Sequence, residues 1–116
     1  MTDFNRTQLY LVTPPKLDLA IFPDILARTL DAGRVACIQL RLKDAIEDDI
    51  RRAVDILKPI TQDRGVTFLL NDDPVLAAHT GCDGVHIGQG DATYDDARNA
   101  VGPNAIVGVT CHDSRH

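Results

Sequence analysis

The 116-residue sequence has few aromatic side chains, no tryptophan and only three cysteines. The cysteines lie far apart and form no Cys-x-x-Cys pair, so the pattern indicates neither a disulfide framework nor a thiolate metal site. The sequence also has no run of about 18 apolar residues, and its first residues contain no apolar signal core. We therefore expect a cytoplasmic protein that does not enter a membrane.

Positive charge is scarce as well. The formal net charge is -5 and the isoelectric point is about 5.1, whereas binding to nucleic acids or anionic membranes depends on basic surfaces. We expect neither partner, so an anionic ligand must be bound by a few local cations. The apolar content of 44% and the charged content of 25% are typical of a globular protein. The length predicts a single domain over residues 1–116.

Hydrophobic periodicity predicts strand and helix units in strict alternation. Short apolar runs ended by turn residues are typical of buried strands, and the amphipathic segments between them are typical of helices. The predicted strands cover residues 9–13, 35–42, 66–70, 83–88 and 105–110, and the predicted helices cover residues 18–32, 46–61, 75–79 and 93–102. This order predicts an α/β fold with a parallel sheet. Pro23 should lie in the first turn of the first helix, and Pro59 should kink or shorten the second helix. Asp73 should cap the third helix, with Pro74 as its first residue.

The second predicted strand carries a row of polar residues. Its residues alternate strictly between apolar and polar types, so Gln39, Arg41 and Lys43 should share one face. In an antiparallel sheet such a face would most simply be solvated. The alternation of strands and helices instead indicates a parallel sheet covered on both faces. We therefore interpret the polar row as pointing into a site.

Further polar residues follow the other predicted strands, and the carboxyl ends of parallel strands are where functional groups gather. Cationic side chains bind phosphate oxygens, and carboxylates bind hard cations such as Mg2+. His86, inside the fourth strand, is more often a structural histidine than a catalyst. The pattern predicts a phosphorylated ligand with a divalent ion, bound by residues at these strand ends: Arg41, Lys43, Asn71, Asp72, Gln89, Asp91 and Thr110.

Four motifs give the chain a resemblance to the thiamine phosphate synthase family. They are Gln39-x-Arg41-x-Lys43, Asn71-Asp72, Gly84-Val85-His86-Ile87-Gly88-Gln89-x-Asp91 and Gly108-Val109-Thr110-Cys111-His112. The resemblance implies a TIM (β/α)8-barrel fold, here a truncated barrel of about five parallel strands and four helices. It also implies a Mg2+-dependent transferase that condenses 4-amino-2-methyl-5-hydroxymethylpyrimidine pyrophosphate with 4-methyl-5-(2-phosphoethyl)thiazole, giving thiamine phosphate and pyrophosphate.

The same resemblance implies roles for individual residues. Lys43 and Arg41 would be catalytic because they stabilise the leaving pyrophosphate, and Asp72 and Asp91 would hold the magnesium ion. His86, Gln89 and His112 are additional candidates. Substrate binding would fall to Gln39, Arg41, Lys43, Asn71 and Thr110.

The family continues through strands six to eight, which supply its thiazole phosphate site, and the sequence contains none of them. Five parallel strands do not close an eight-stranded barrel. The open edges predict a homo-oligomer, another association that covers the half-barrel, or a longer chain. For this chain alone we expect ligand binding with little or no synthesis.

Three alternatives stay open. The chain could be a thiazole tautomerase-like paralogue, with His112 as its candidate catalyst, or a non-catalytic half-barrel that binds a phosphorylated ligand. A receiver-type signalling domain has a similar length, but it needs an acidic pair after its first strand. Here that strand leads into Thr13-Pro14-Pro15, which disfavours a receiver.

Overall fold

The computed structural model describes residues 9–88 and 94–109 of the chain. Strands and helices alternate throughout, and each described strand pairing is parallel, which confirms the predicted α/β class. No helix in this part of the chain has the length and apolar character needed to cross a membrane. The strands are β1 (Leu9–Val12), β2 (Val35–Leu40), β3 (Thr67–Asn71), β4 (Gly84–Ile87) and β5 (Ile106–Val109), and the helices are α1 (Phe22–Ala32), α2 (Glu47–Gln62), α3 (Pro74–Thr80) and α4 (Tyr94–Val101).

The chain forms two compact units, Met1–Phe68 and Leu69–His116. In the first unit β1 pairs with β2, and a register shift after Leu9 places Tyr10 opposite Cys37 and Val12 opposite Gln39. Two helices cover the apolar residues of this unit. The buried core residues are Leu26 and Leu30 of α1, Cys37, Ile38 and Leu40 of β2, Ala53, Val54 and Leu57 of α2, and Val66 and Phe68 at the end of the unit.

In the second unit β3 pairs with β4 and β4 pairs with β5. Gly84 begins β4 opposite Ile106, and a Cβ atom at Gly84 would collide with the Ile106 carbonyl oxygen. Glycine is therefore required where β5 approaches β4. The buried core residues of this unit are Leu69 and Leu70 of β3, Leu76 and Ala77 of α3, Val85 and Ile87 of β4, and Ala97 of α4.

Strand β1 is less buried than its apolar run predicts. Leu9 and Tyr10 are each 51% exposed and Val12 is 49% exposed, so the prediction of a buried first strand is wrong. Among the described residues β1 pairs with β2 alone. The exposure of a strand depends on what covers its free edge and faces, and the composition of the strand does not supply that information.

Two predictions about the helices of the first unit are also corrected. Helix α1 begins at Phe22 instead of Asp18, because the Asp18 carbonyl accepts the N–H groups of Ile21 and Phe22 and closes a separate turn. Pro23 does lie in the first helical turn, as predicted. Helix α2 continues past Pro59 to Gln62. Pro59 therefore does not shorten the helix. Buried residues of α2 lie before and after the proline, at Leu57 and Thr61.

Candidate functional site

The end of β2 carries three of the predicted ligand-binding residues. Gln39 lies inside the strand and is only 4% exposed, whereas Arg41 and Lys43 follow the strand and are exposed. The strand ends at Leu40, two residues earlier than predicted. The alternation rule for strand faces therefore covers Gln39 but not Arg41 or Lys43, so a shared face for the three residues stays a prediction.

The loop after β1 fixes the backbone of this strand end. Thr13 is 5% exposed, and its N–H donates to the Gln39 carbonyl over 3.0 Å. The Thr13 Oγ1 atom accepts the Arg41 N–H at 2.9 Å, and the Pro15 carbonyl accepts the Lys43 N–H at 2.9 Å. The two cationic residues are therefore anchored through their own main-chain groups. Sequence reasoning missed Thr13, although a hydroxyl between a strand and Pro-Pro is a signal for such a role.

Tyr10 is a second residue that sequence reasoning missed. The Gln39 Nε2 atom donates a hydrogen bond to Tyr10 Oη over 3.0 Å. Burial raises the pKa of the Tyr10 hydroxyl, and this effect exceeds the lowering by the Gln39 hydrogen bond. Tyr10 therefore stays neutral at physiological pH, and its hydroxyl links β1 to the Gln39 amide of β2.

A cavity of 660 Å³ lies beside this strand end, within the first unit. The side chains of Lys16, Lys43 and Arg52 line it and have no ion-pair partner among residues 9–88 and 94–109. Asp18, Asp44 and Asp49 line the same cavity, and the three cations are the groups in it that suit an anionic ligand. The loop after β1, the loop after β2 and the start of α2 form its walls, through residues 15–20, 42–45, Asp49, Arg52 and Ala53.

The end of β3 presents the acidic part of the predicted site, in the second unit. Asn71 ends the strand and is half-buried, and Asp72 follows it with an exposed side chain. The Asp72 backbone has φ 70°, a left-handed conformation that aspartate tolerates better than most residues. Its N–H donates to the His86 carbonyl over 2.7 Å.

His86 lies beside Asn71, its register partner in β3. On the other side of β4, a Cβ atom at Gly108 would lie 2.8 Å from His86 Nδ1, so the imidazole packs over a glycine of β5. The structure therefore brings Asn71, Asp72 and His86 together within the second unit. The neighbouring Asp73 has a structural role, because its carboxylate accepts the Leu76 N–H at 2.9 Å and caps α3, as predicted.

The predicted magnesium ligands are only partly described. Gln89, Asp91, Thr110 and His112 lie outside the described residues, which leaves Asp72 as the described member of the acidic pair. Within the described ranges no three His, Cys, Asp or Glu side chains are grouped so that they could hold a metal ion. Magnesium is often held by one or two carboxylates together with substrate phosphates. An exposed carboxylate at Asp72 fits that kind of donor set.

Parallel strands alternating with helices, with charged side chains after the strands, are typical of α/β barrel-type folds. A family model described as "Thiamine monophosphate synthase" matches residues 9–116. The chain belongs to this family, whose named members are transferases of thiamine biosynthesis.

Curated relatives carry the same family name. The thiamine-phosphate synthase of Rhodospirillum centenum is 60% identical over 116 residues, which cover 100% of this chain and 55% of that protein. The thiamine-phosphate synthase of Hyphomonas neptunium is 42% identical over 118 residues, covering 96% of this chain and 52% of that protein. The chain thus spans about half the length of the curated relatives it matches.

A solved structure confirms the fold class. The thiamine phosphate pyrophosphorylase from Pyrococcus furiosus superposes with a TM-score of 0.74 at 25% sequence identity, covering 90% of this chain and 50% of that chain. Its fold is TIM-barrel-like. The prediction of a truncated barrel with five parallel strands and four helices is therefore confirmed.

Proposed function

We propose that this chain binds the pyrimidine pyrophosphate substrate of thiamine-phosphate synthase and contributes that half of the site to the synthase reaction. The observation that carries the proposal is the end of β2, where Arg41 and Lys43 are exposed cations with no ion-pair partner in the described part of the chain. Their backbones are anchored by Thr13 and Pro15. Unpaired cations on a fixed backbone are suited to pyrophosphate oxygens.

Each residue has a separate task in the proposed site. Gln39 binds the pyrimidine ring through its amide, and Arg41 and Lys43 bind the pyrophosphate. Asn71 and Thr110 make further contacts to the substrate. Family membership supports these assignments, since the family model matches residues 9–116, the range that contains these motifs.

The proposed reaction needs charge stabilisation more than proton transfer. The bond between the pyrimidine methylene carbon and the pyrophosphate oxygen breaks, and pyrophosphate leaves with the electron pair. Lys43 and Arg41 stabilise the negative charge that develops on the leaving group. The thiazole nitrogen then donates its lone pair to the methylene carbon and forms the new C–N bond.

Asp72 and Asp91 are the residues that we propose to hold a magnesium ion. When bound, this ion would neutralise part of the pyrophosphate charge. The exposed Asp72 carboxylate on its left-handed turn supports the assignment.

Calorimetric titration of the chain with the pyrimidine pyrophosphate, with and without MgCl2, tests the proposal. We expect binding that is tighter with magnesium. Arg41→Ala and Lys43→Ala should each weaken it by roughly 10- to 100-fold, because each removes a charged hydrogen-bond donor.

Arg28→Ala is the matched control. It also removes an exposed arginine, but Arg28 lies on α1 and pairs with Asp24 at 2.7 Å. This control should leave the affinity unchanged. If the unmodified chain does not bind the pyrimidine pyrophosphate, or if all three variants bind equally well, the proposed function is wrong.

A further inference from the structure

The cavity beside the end of β2 carries the row of cations beyond the strand. Lys43 lines it together with Lys16 and Arg52, whereas Arg41 is not among its lining residues. Its volume of 660 Å³ falls within the range of small-molecule pockets. The cavity therefore adjoins the proposed pyrophosphate site on the side of Lys43, and it has room for part of a ligand.

A main-chain hydrogen bond holds Lys16 close to Lys43. The Lys43 N–H donates to the Pro15 carbonyl over 2.9 Å, and Lys16 follows Pro15 directly in the sequence. The Pro15 carbonyl belongs to the peptide group that joins Pro15 to Lys16, and a peptide group is planar and rigid. The loop after β1 therefore places a second cationic residue beside Lys43.

Helix α2 supplies the third cation. Arg52 is exposed, and neither Arg52 nor Lys16 forms an ion pair with any residue that the structure describes. The adjacent Arg51 does not line the cavity, and its Nε atom donates to the Glu47 carboxylate over 2.9 Å, one turn earlier in the helix. One arginine of α2 is therefore committed to its own helix, whereas the next is available to a ligand.

Three carboxylates also line the cavity, those of Asp18, Asp44 and Asp49. None of them pairs with a lining cation in the described part of the chain. The Asp18 Oδ1 atom accepts the Ala20 N–H at 2.9 Å, and Asp49 lies in the first turn of α2, where the helix dipole stabilises negative charge. Two of the acids thus have stabilising main-chain groups, while the cations have no anionic partner within residues 9–88 and 94–109. An anionic ligand group in the cavity would provide that partner.

We propose that Lys16 and Arg52 bind the outer phosphate of the pyrimidine pyrophosphate, so that the site selects a pyrophosphate over a monophosphate. This inference rests on the proposed function, since it assumes that Arg41 and Lys43 bind the pyrophosphate. Arg41 does not line the cavity and binds the inner phosphate at the strand end. Lys43 belongs to both regions, so the outer phosphate extends past Lys43 into the cavity, where Lys16 and Arg52 donate to its oxygens.

Calorimetry with two ligands in the presence of MgCl2 tests this inference. The ligands are the pyrimidine pyrophosphate and the corresponding pyrimidine monophosphate. The proteins are the unmodified chain, Lys16→Met and Arg52→Gln, since these substitutions remove the charge and keep much of the side-chain length. We expect the unmodified chain to prefer the pyrophosphate by about 10- to 100-fold. Each variant should bind the pyrophosphate about tenfold more weakly and leave the affinity for the monophosphate unchanged.

Two control variants bracket the result. Arg51→Gln makes the same substitution one residue away, at an arginine that is paired with Glu47, and it should keep the full preference. Arg41→Ala removes a contact to the phosphate that both ligands share, so it should weaken both of them. Lys16 and Arg52 are exposed, and circular dichroism melts should show that both variants keep the stability of the unmodified chain.

The possible outcomes separate this inference from the proposed function. If the unmodified chain binds neither ligand, the proposed function is wrong and the inference fails with it. If the chain binds the pyrophosphate but Lys16→Met and Arg52→Gln weaken both ligands equally, or neither, the proposed function stands and the inference is overturned. An equal loss of preference in Arg51→Gln would also overturn it, because the effect would then follow from overall charge and not from the cavity.

Discussion

The ends of β2 and β3 present charged side chains in two different ways. After β2, the main-chain N–H groups of Arg41 and Lys43 donate to Thr13 Oγ1 and to the Pro15 carbonyl, respectively. These hydrogen bonds anchor the two residues. After β3, the Asp72 backbone adopts a left-handed conformation, and its N–H donates to the His86 carbonyl. The cationic end depends on a neighbouring loop, whereas the acidic end depends on a local backbone conformation.

This difference has an energetic consequence. Hydrogen bonds from a neighbouring loop contribute to the folded state, so their removal should cost stability and ligand affinity together. A left-handed backbone at a residue with a Cβ atom is strained, so its relief should increase stability. If the Asp72 carboxylate takes part in ligand binding, a substitution that relieves this strain should also lower the affinity for the ligand. The two strand ends are therefore predicted to respond in opposite directions.

The largest effect is expected from Thr13→Val. This variant keeps the shape of a buried side chain but removes the acceptor of the Arg41 N–H. Unfolding in urea should show a loss of about 1 to 3 kcal/mol, because a main-chain donor loses its partner. The affinity for the pyrimidine pyrophosphate should fall as well, since Arg41 is no longer held.

Thr61→Val is the matched control for that experiment. Thr61 is fully buried in the same unit, and its hydroxyl donates to the Lys58 carbonyl in α2 at 2.8 Å. Its removal leaves no main-chain N–H unpaired, so the loss of stability should be smaller and the affinity should not change. Equal losses of affinity in the two variants would contradict the anchoring role of Thr13.

The next effect is smaller and has the opposite sign. Asp72→Gly should raise stability by about 0.5 to 1 kcal/mol, because glycine adopts a positive φ without strain from a Cβ atom. The same variant should lose the tightening of ligand binding by magnesium. Urea unfolding and calorimetry with and without MgCl2 measure the two effects separately.

Asp44 provides an unusually close comparison for this variant. Asp44 also has a positive φ, of 59°, and it lies in the loop after β2. Asp44→Gly should show the same gain in stability and keep its magnesium response. Asp72→Asn, which tolerates the left-handed backbone but lacks the carboxylate, should lose the magnesium response without a gain in stability. A retained magnesium response in both Asp72 variants would refute the metal assignment.

The order of elements could be predicted from the sequence because it depends on local patterns. Apolar periodicity placed all five strands and four helices, and Asp73-Pro74 predicted the cap and first residue of α3. Boundaries were wrong where contacts distant in sequence decide them. Strand β2 ends early because Thr13, in another loop, takes the Arg41 N–H that a longer strand would have used in its ladder.

The site was predicted less completely than the fold, for a related reason. Gln39, Arg41, Asn71 and Asp72 follow recognisable motifs, but Tyr10 becomes relevant only through the cross-strand register. That register includes a shift after Leu9 that no periodicity in β1 reveals. Exposure of β1 was mispredicted because it depends on what covers the strand.

The smallest effect is expected from an exposed ion pair in the first unit, between α1 and the residues that follow α2. Arg64 Nε donates to Asp31 Oδ1 over 2.8 Å, and this hydrogen bond lowers the pKa of the Asp31 carboxyl from its ordinary value of 3.8. The pKa of Asp31 is lower in the folded protein than in the unfolded chain. The ion pair therefore stabilises the fold when the pH is above the ordinary pKa of 3.8. That contribution is lost as the pH falls through the folded-state pKa, when Asp31 becomes protonated.

A double-mutant cycle measures this contribution, because Arg64 also donates to the Ile60 carbonyl through Nη1. We expect the coupling between Arg64→Gln and Asp31→Asn to be small at neutral pH, since both side chains are largely exposed and salt screens the pair. The coupling should vanish in acid below the folded-state pKa of Asp31. A coupling that survives at that pH would mean that the two side chains interact through packing instead of charge.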